Sequence, residues 1–149
     1  MTNFEGFEHE TLHVNGSVVN LVRGGRGDPL LLLHGYPQTH AIWHKIAGTL
    51  SKHFTVVCAD LRGYGDSAKP VSDEAHAAYA KRAMADDLVA AMEELGHERY
   101  HVAGHDRGGR VGHRLAADHP ERVLRLSVLD IAPTYTMYTT TDMAFAQAY

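Results

Sequence analysis

Apolar residues fall along the chain in short bursts separated by glycine-rich turns. Two β-branched runs, 9–14 and 17–22, flank Asn15-Gly16, a dipeptide that folds one strand back on another. The stretch from Gly24 to Pro29 reads as a further turn. Leu30 to Leu33 and Thr55 to Ala59 are unbroken apolar runs, too short for helices. Strands buried on both faces of a parallel sheet have this look. Helical spacing takes over at 41–50, through Ile42, Trp43, Ile46, Ala47 and Leu50. It returns over 75–95, where Ala85, Leu88, Val89, Met92 and Leu95 mark a buried stripe that Gly96 ends. Tyr100 to Ala103 predicts a strand, 107–118 a helix closed by His119-Pro120, and Val123 to Leu129 another strand. Beyond Pro133, the residues Met137, Tyr138, Met143, Phe145 and Tyr149 mix with polar ones, as in a loop entering a helix. A hairpin followed by alternating strands and helices predicts an α/β domain, a mostly parallel sheet with helices on both faces. Functional groups in such sheets gather at the carboxyl ends of the strands. His34-Gly35-Tyr36, Asp60, Asp106 and Asp130 all fall at such ends.

Composition narrows the function classes. At 149 residues the chain predicts one domain. Its net charge of −4 argues against a general nucleic-acid or anionic-membrane binder. The lone Cys58 allows no internal disulfide, which fits a reducing compartment. The first residues lack the basic and apolar regions of a signal peptide, and no apolar run approaches the ~20 residues of a membrane span. A soluble, cytoplasmic protein is the expectation. Twelve histidines are many, but there is no second cysteine, and no metal site is predicted. Gly24-Gly25-Arg26-Gly27 is not a dinucleotide fingerprint, and the loop from Asp60 to Ser67 lacks the Lys-Ser/Thr pair of a phosphate cradle.

The chemistry concentrates in Gly104-His105-Asp106-Arg107-Gly108-Gly109-Arg110. An apolar strand runs into a glycine-bounded turn and straight into a helix, the layout of a nucleophile elbow with aspartate at its apex. Asp106 also suits the plainer role of helix N-cap. A carboxylate nucleophile fits displacement at a saturated carbon, because the ester it forms can later be cleaved by water. Arg107 and Arg110, three apart on one helix, can face one spot and grip a carboxylate. The plainer alternatives are a solvated turn or a pair with Asp118 or Asp130.

Together with His34-Gly35-Tyr36-Pro37-Gln38, Asp60-Leu61-Arg62-Gly63-Tyr64-Gly65 and Asp130-Ile131-Ala132-Pro133-Thr134, the elbow motif resembles the α/β-hydrolase superfamily from about residue 9 onward. Within it, the chain is most similar to the fluoroacetate (haloacetate) dehalogenases. That resemblance implies Asp106 as nucleophile, Arg107 and Arg110 as the substrate-carboxylate grip, and Asp130 as the triad acid. It implies the backbone N–H groups of Tyr36 and Arg107 as the oxyanion hole. No metal or cofactor is implied; the partner is a small anionic haloacid, with a homodimer allowed for a full-length enzyme. Haloalkane dehalogenases and many epoxide hydrolases, whose substrates are neutral, carry tryptophan at the place of Arg107. The family's general-base histidine and most of its helical cap match no residue here. On this resemblance, residues 1–132 correspond to the N-terminal part of an α/β-hydrolase core and 133–149 to the start of a cap, before the last strands. Epoxide hydrolysis by the same aspartate, and a non-catalytic binding role, are the competing functions.

Overall fold

Asn15 and Gly16 both adopt left-handed backbone, which closes a tight antiparallel hairpin between β1 (Glu8–Val14) and β2 (Ser17–Gly25). These are the first elements of a computed structural model that describes residues 4–144. The tail residues Phe145 and Tyr149 singled out above lie outside that range. Four parallel strands complete the sheet: β3 (Asp28–Leu33), β4 (Phe54–Ala59), β5 (Tyr100–His105) and β6 (Val123–Leu129). The spatial order is β1-β2-β4-β3-β5-β6, with β2 antiparallel to β4 and all later pairings parallel.

The alternate side chains of the central strands go to opposite layers, and both layers are dry. Leu31, Leu33, Val57, Ala59 and Val102 meet Met84, Leu88 and Met92 of α2 (Lys81–Glu94) and Val111 and Leu115 of α3 (Arg107–Asp118). Leu30, Leu32, Val56 and Cys58 meet Trp43 and Ala47 at α1 (His44–Leu50) on the other face. The unbroken apolar strands therefore owe their composition to burial on both sides. Cys58 is simply part of this core, and burial pushes its thiol far up from the ordinary range.

Three predicted boundaries move. The turn expected over Gly24 to Pro29 shrinks, because Gly24 and Gly25 still pair with β4 and Asp28 already pairs as β3. The helix expected over 41–50 starts as a 3-10 turn at His40–Trp43, where the Thr39 hydroxyl accepts from Ala41 N–H. The helix expected over 75–95 begins only at Lys81. His76 is left-handed and Ala80 extended, and Tyr79 and Ala78 are tied to Pro70 and Arg62 by hydrogen bonds. Tertiary hydrogen bonds override the helical preference of that alanine-rich segment. Its far end agrees with expectation: Gly96 at φ 80° lets His97 N–H reach Met92 C=O and Gly96 N–H reach Glu93 C=O.

The tail forms a short helix, α4 (Thr134–Thr140). No helix among the described residues is long and apolar enough to cross a membrane. β6 is the outer strand among the described residues, and Val128 and Leu129 each keep 44% of their surface exposed. A groove of about 550 Å³ opens beside it on the α1 face, lined by Leu32, Trp43, Ile46, Phe54 and Leu129.

Candidate active site

Strand register decides which side chains share a rim. Leu33 pairs with Ala59 on one side and with Gly104 on the other, and His105 pairs with Leu129. One step beyond each pair lie His34, Asp60, Asp106 and Asp130, so the four strand ends open onto one edge of the sheet.

Asp106 sits at φ 49°, ψ −115°, a backbone conformation unfavourable for a residue with a Cβ. Close packing under the turn holds it there. A Cβ on Gly104 would stand 2.3 Å from Gly108 C=O, and one on Gly108 2.3 Å from Leu33 C=O. Only glycine lets helix and strands approach this closely. The Asp106 N–H donates to Leu129 C=O at 3.0 Å, which anchors the turn to β6. Asp106 occupies the N-cap position of α3, but its side chain makes no capping hydrogen bond. Its Oδ1 instead accepts the backbone N–H of Tyr36, 2.9 Å away on the loop after β3. Partial burial works to raise the carboxyl pKa. The N–H groups of Tyr36 and Arg107, with the charges of Arg107 and His105, outweigh it and hold Asp106 below the ordinary range.

The structure brings Asp106, the Tyr36 N–H and the Arg107 N–H together. It separates the partners of the two arginines. The Arg107 guanidinium is exposed and lies 5.3 Å from the centre of the Tyr36 ring. Arg110 turns toward α4, where it donates to the Tyr138 hydroxyl at 3.4 Å and lies 3.4 Å from Met137 Sδ. Neither pairs with Asp118, which takes Arg82 and Arg114 instead. Asp130 stands on the rim with its side chain 88% exposed, and its Oδ2 is 3.7 Å from His105 Nε2, too long for a hydrogen bond. His105 Nδ1 is 3.2 Å from Gln38 Oε1, which also accepts Gly35 N–H. Since that amide oxygen can only accept, the His105 proton belongs on Nδ1. Among the described residues, no three His, Cys, Asp or Glu side chains cluster as metal ligands would.

The loops carrying these groups are braced from beneath by residues that composition and spacing did not single out together. His34 is fully buried; its Nδ1 donates to Gly35 C=O at 2.8 Å and its Nε2 accepts Leu61 N–H at 3.0 Å. Burial lowers its pKa, which keeps the ring neutral. Asp60, 1% exposed, accepts from Asn20 Nδ2 (2.8 Å), His40 N–H (2.7 Å), His40 Nδ1 (2.9 Å) and Asp66 N–H (3.1 Å). Asn20 and His40 gave no signal in the sequence, since neither lies in a motif and each acts only through the fold.

An aspartate-bearing elbow at the carboxyl rim of a mostly parallel sheet is the layout of the α/β hydrolases. Residues 28–148 match the family described as alpha/beta hydrolase fold, and the chain belongs to it. It is 55% identical over 146 residues to a fluoroacetate dehalogenase of Burkholderia sp, covering 98% of this chain and 48% of that protein. It is 40% identical to a soluble epoxide hydrolase of Corynebacterium sp. (strain C12), covering 84% of this chain and 42% of that one. Among solved structures, an alpha/beta hydrolase from Nostoc sp PCC 7120 superimposes with a TM-score of 0.95 at 58% identity, over 98% of this chain and 50% of that chain. The chain thus spans about half the length of the curated relatives it matches.

Proposed function

We propose that this chain carries the nucleophile and carboxylate grip of a hydrolase that displaces halide from short 2-haloacids such as haloacetate. The pose of Asp106 carries the reading: Oδ1 is held by the Tyr36 N–H, so Oδ2 is the oxygen available for attack. Identity to a fluoroacetate dehalogenase supports the substrate class.

In the proposed reaction, Arg107 and Arg110 hold the substrate carboxylate and present its halogen-bearing carbon to Oδ2. The new C–O bond forms as the carbon–halogen bond breaks, and halide leaves with the bonding pair. The product is an ester of Asp106. Water then attacks the ester carbonyl carbon, giving up a proton to a general base. Negative charge develops on Oδ1, to which the Tyr36 N–H already donates, and the Arg107 N–H is the proposed second donor. Collapse releases the 2-hydroxy acid and restores the carboxylate. Asp130 is the proposed partner of that base. His105 is its only described histidine neighbour, and the Nδ1 proton of that ring is committed to Gln38. The 149-residue chain by itself is therefore expected to stop at the ester.

The 40% identity to a soluble epoxide hydrolase favours a second reading, in which the same carboxylate opens an epoxide. A neutral epoxide gives Arg107 and Arg110 nothing to grip. The test uses a protein carrying this chain and the remaining length of its relatives. Halide release from chloroacetate or fluoroacetate, cut about 10–100-fold in kcat/KM by Arg107→Leu, supports the haloacid reading. Epoxide hydration without halide release supports the other.

A further inference from the structure

Gly35 lies where the loop after β3 touches the elbow. A Cβ there would stand 2.6 Å from Asp106 Cβ, so the position needs glycine. Glycine also brings the greatest backbone freedom, and the peptide it shares with Tyr36 is the one whose N–H meets Asp106 Oδ1. Core packing does not pin that peptide, because Tyr36 is 62% exposed and Pro37 is exposed too. Hydrogen bonds restrain it instead, and Gln38 supplies two of them. Its backbone N–H donates to Gly35 C=O at 3.0 Å, and its side-chain Oε1 accepts Gly35 N–H at 3.1 Å. Both backbone groups of Gly35 are thus held by one residue. His34 Nδ1 adds a further bond to Gly35 C=O at 2.8 Å. The same Gln38 Oε1 accepts from His105 Nδ1 at 3.2 Å, and His105 directly precedes Asp106. One amide oxygen therefore ties the loop that carries the donor to the strand that carries the acceptor. Asp106 is anchored separately, by its own N–H on Leu129 C=O.

We propose that Gln38 is a positioning residue: its side-chain oxygen clasps the Gly35 N–H and the His105 ring together, and so fixes the direction from which the Tyr36 N–H meets Asp106 Oδ1. The inference rests on the proposed roles of Asp106 as nucleophile and of the Tyr36 N–H as an oxyanion donor. A donor aimed in advance costs no reorganisation when charge develops on Oδ1. Gln38 acts through the peptide it holds. Removing its side-chain oxygen leaves the Gly35 N–H without its acceptor and frees that peptide to turn away from Asp106.

The test follows the Tyr36 amide proton of the 149-residue chain by NMR across the Asp106 titration. In the wild type it is expected to move downfield as Asp106 ionises, the mark of an amide donating to a carboxylate. Gln38→Met keeps the length but removes the acceptor, and should lose about half of that movement or more. Gln38→Glu keeps an accepting oxygen and should retain it. Alkylation of Asp106 by bromoacetate gives a second readout: its pH midpoint should rise by about one unit in Gln38→Met, because a hydrogen bond to the carboxylate is loosened. A purely structural role would lower the folded fraction but move neither the amide response nor the midpoint of the folded chain. Gln38→Leu takes the place of Gln38→Met where the latter does not fold. An unchanged Tyr36 response or an unchanged midpoint in these variants overturns the inference, as does Gln38→Glu behaving like Gln38→Met. A wild-type Tyr36 amide that ignores Asp106, or ring-nitrogen shifts that place the neutral His105 proton on Nε2, overturns it without any variant. The nucleophile reading falls separately: no Asp106 adduct from bromoacetate overturns that reading, while the Tyr36 amide still decides on Gln38.

Discussion

Replacing Asp60 by asparagine should destabilise the chain by an amount that depends on pH in a defined direction. Burial raises the Asp60 pKa, but hydrogen bonds from the His40 side chain, the His40 N–H and the Asn20 amide outweigh it, and the value falls from 3.8 to about 2. At 1.36 kcal/mol per pKa unit, this depression contributes roughly 2–3 kcal/mol of stability. Because the folded-state value is the lower one, the contribution is complete above the unfolded value near 4. It is lost as pH falls from about 4 to about 2. Asparagine keeps one accepting oxygen but turns an NH2 toward donors on Asn20 or Asp66. Asp60→Asn should therefore cost about 2–4 kcal/mol at pH 7, with the gap from wild type closing below pH 4. Urea unfolding over a pH series, followed by the fluorescence of Trp43, measures both quantities; Trp43 is the only tryptophan and is buried. A gap under about 0.5 kcal/mol at pH 7, or one that persists unchanged to pH 2, would refute the reasoning.

His34→Ala should cost about 2–4 kcal/mol, since it leaves a cavity and strands Leu61 N–H and Gly35 C=O, and urea unfolding reads the loss. Leu129→Lys should reduce self-association of the chain, because it places a charge on the exposed outer strand beside the groove; sedimentation velocity at increasing concentration shows the shift. Alkylation of Asp106 by a 2-haloacid should hold its rate to lower pH than the titration of an ordinary aspartate allows, because the depressed pKa favours the ionised carboxylate. A rate already halved at pH 5 contradicts that.

Much of this was readable from residues because several local rules agreed. Asn15-Gly16 required a hairpin, Gly104 and Gly108 required a tight turn, and the apolar runs at 30–33 and 55–59 required two covered faces. The late start of α2 was not readable. The bonds that hold residues 77–80 out of the helix join Tyr79 to Pro70 and Ala78 to Arg62, residues 9 and 16 positions away. The site divides the same way. Asp106 and the Tyr36 N–H were placed by motif, and the structure sets them 2.9 Å apart. Arg107 and Arg110 share a helix face by spacing, but Tyr138 and Met137 draw Arg110 aside, a contact between segments 27 and 28 positions apart. Asn20 and His40 lay outside the motifs, because a buried carboxylate's partners exist only once strands and helices are assembled.

The central claim is that Asp106 attacks carbon through its free oxygen. Incubating the 149-residue chain with chloroacetate or bromoacetate and mapping the product by peptide mass spectrometry tests it most directly. The predicted result is one carboxymethyl ester on the peptide containing Asp106, with one halide released per chain and no further turnover, and no adduct in Asp106→Asn. An adduct that persists in Asp106→Asn, or modification confined to histidines or Cys58, would contradict it.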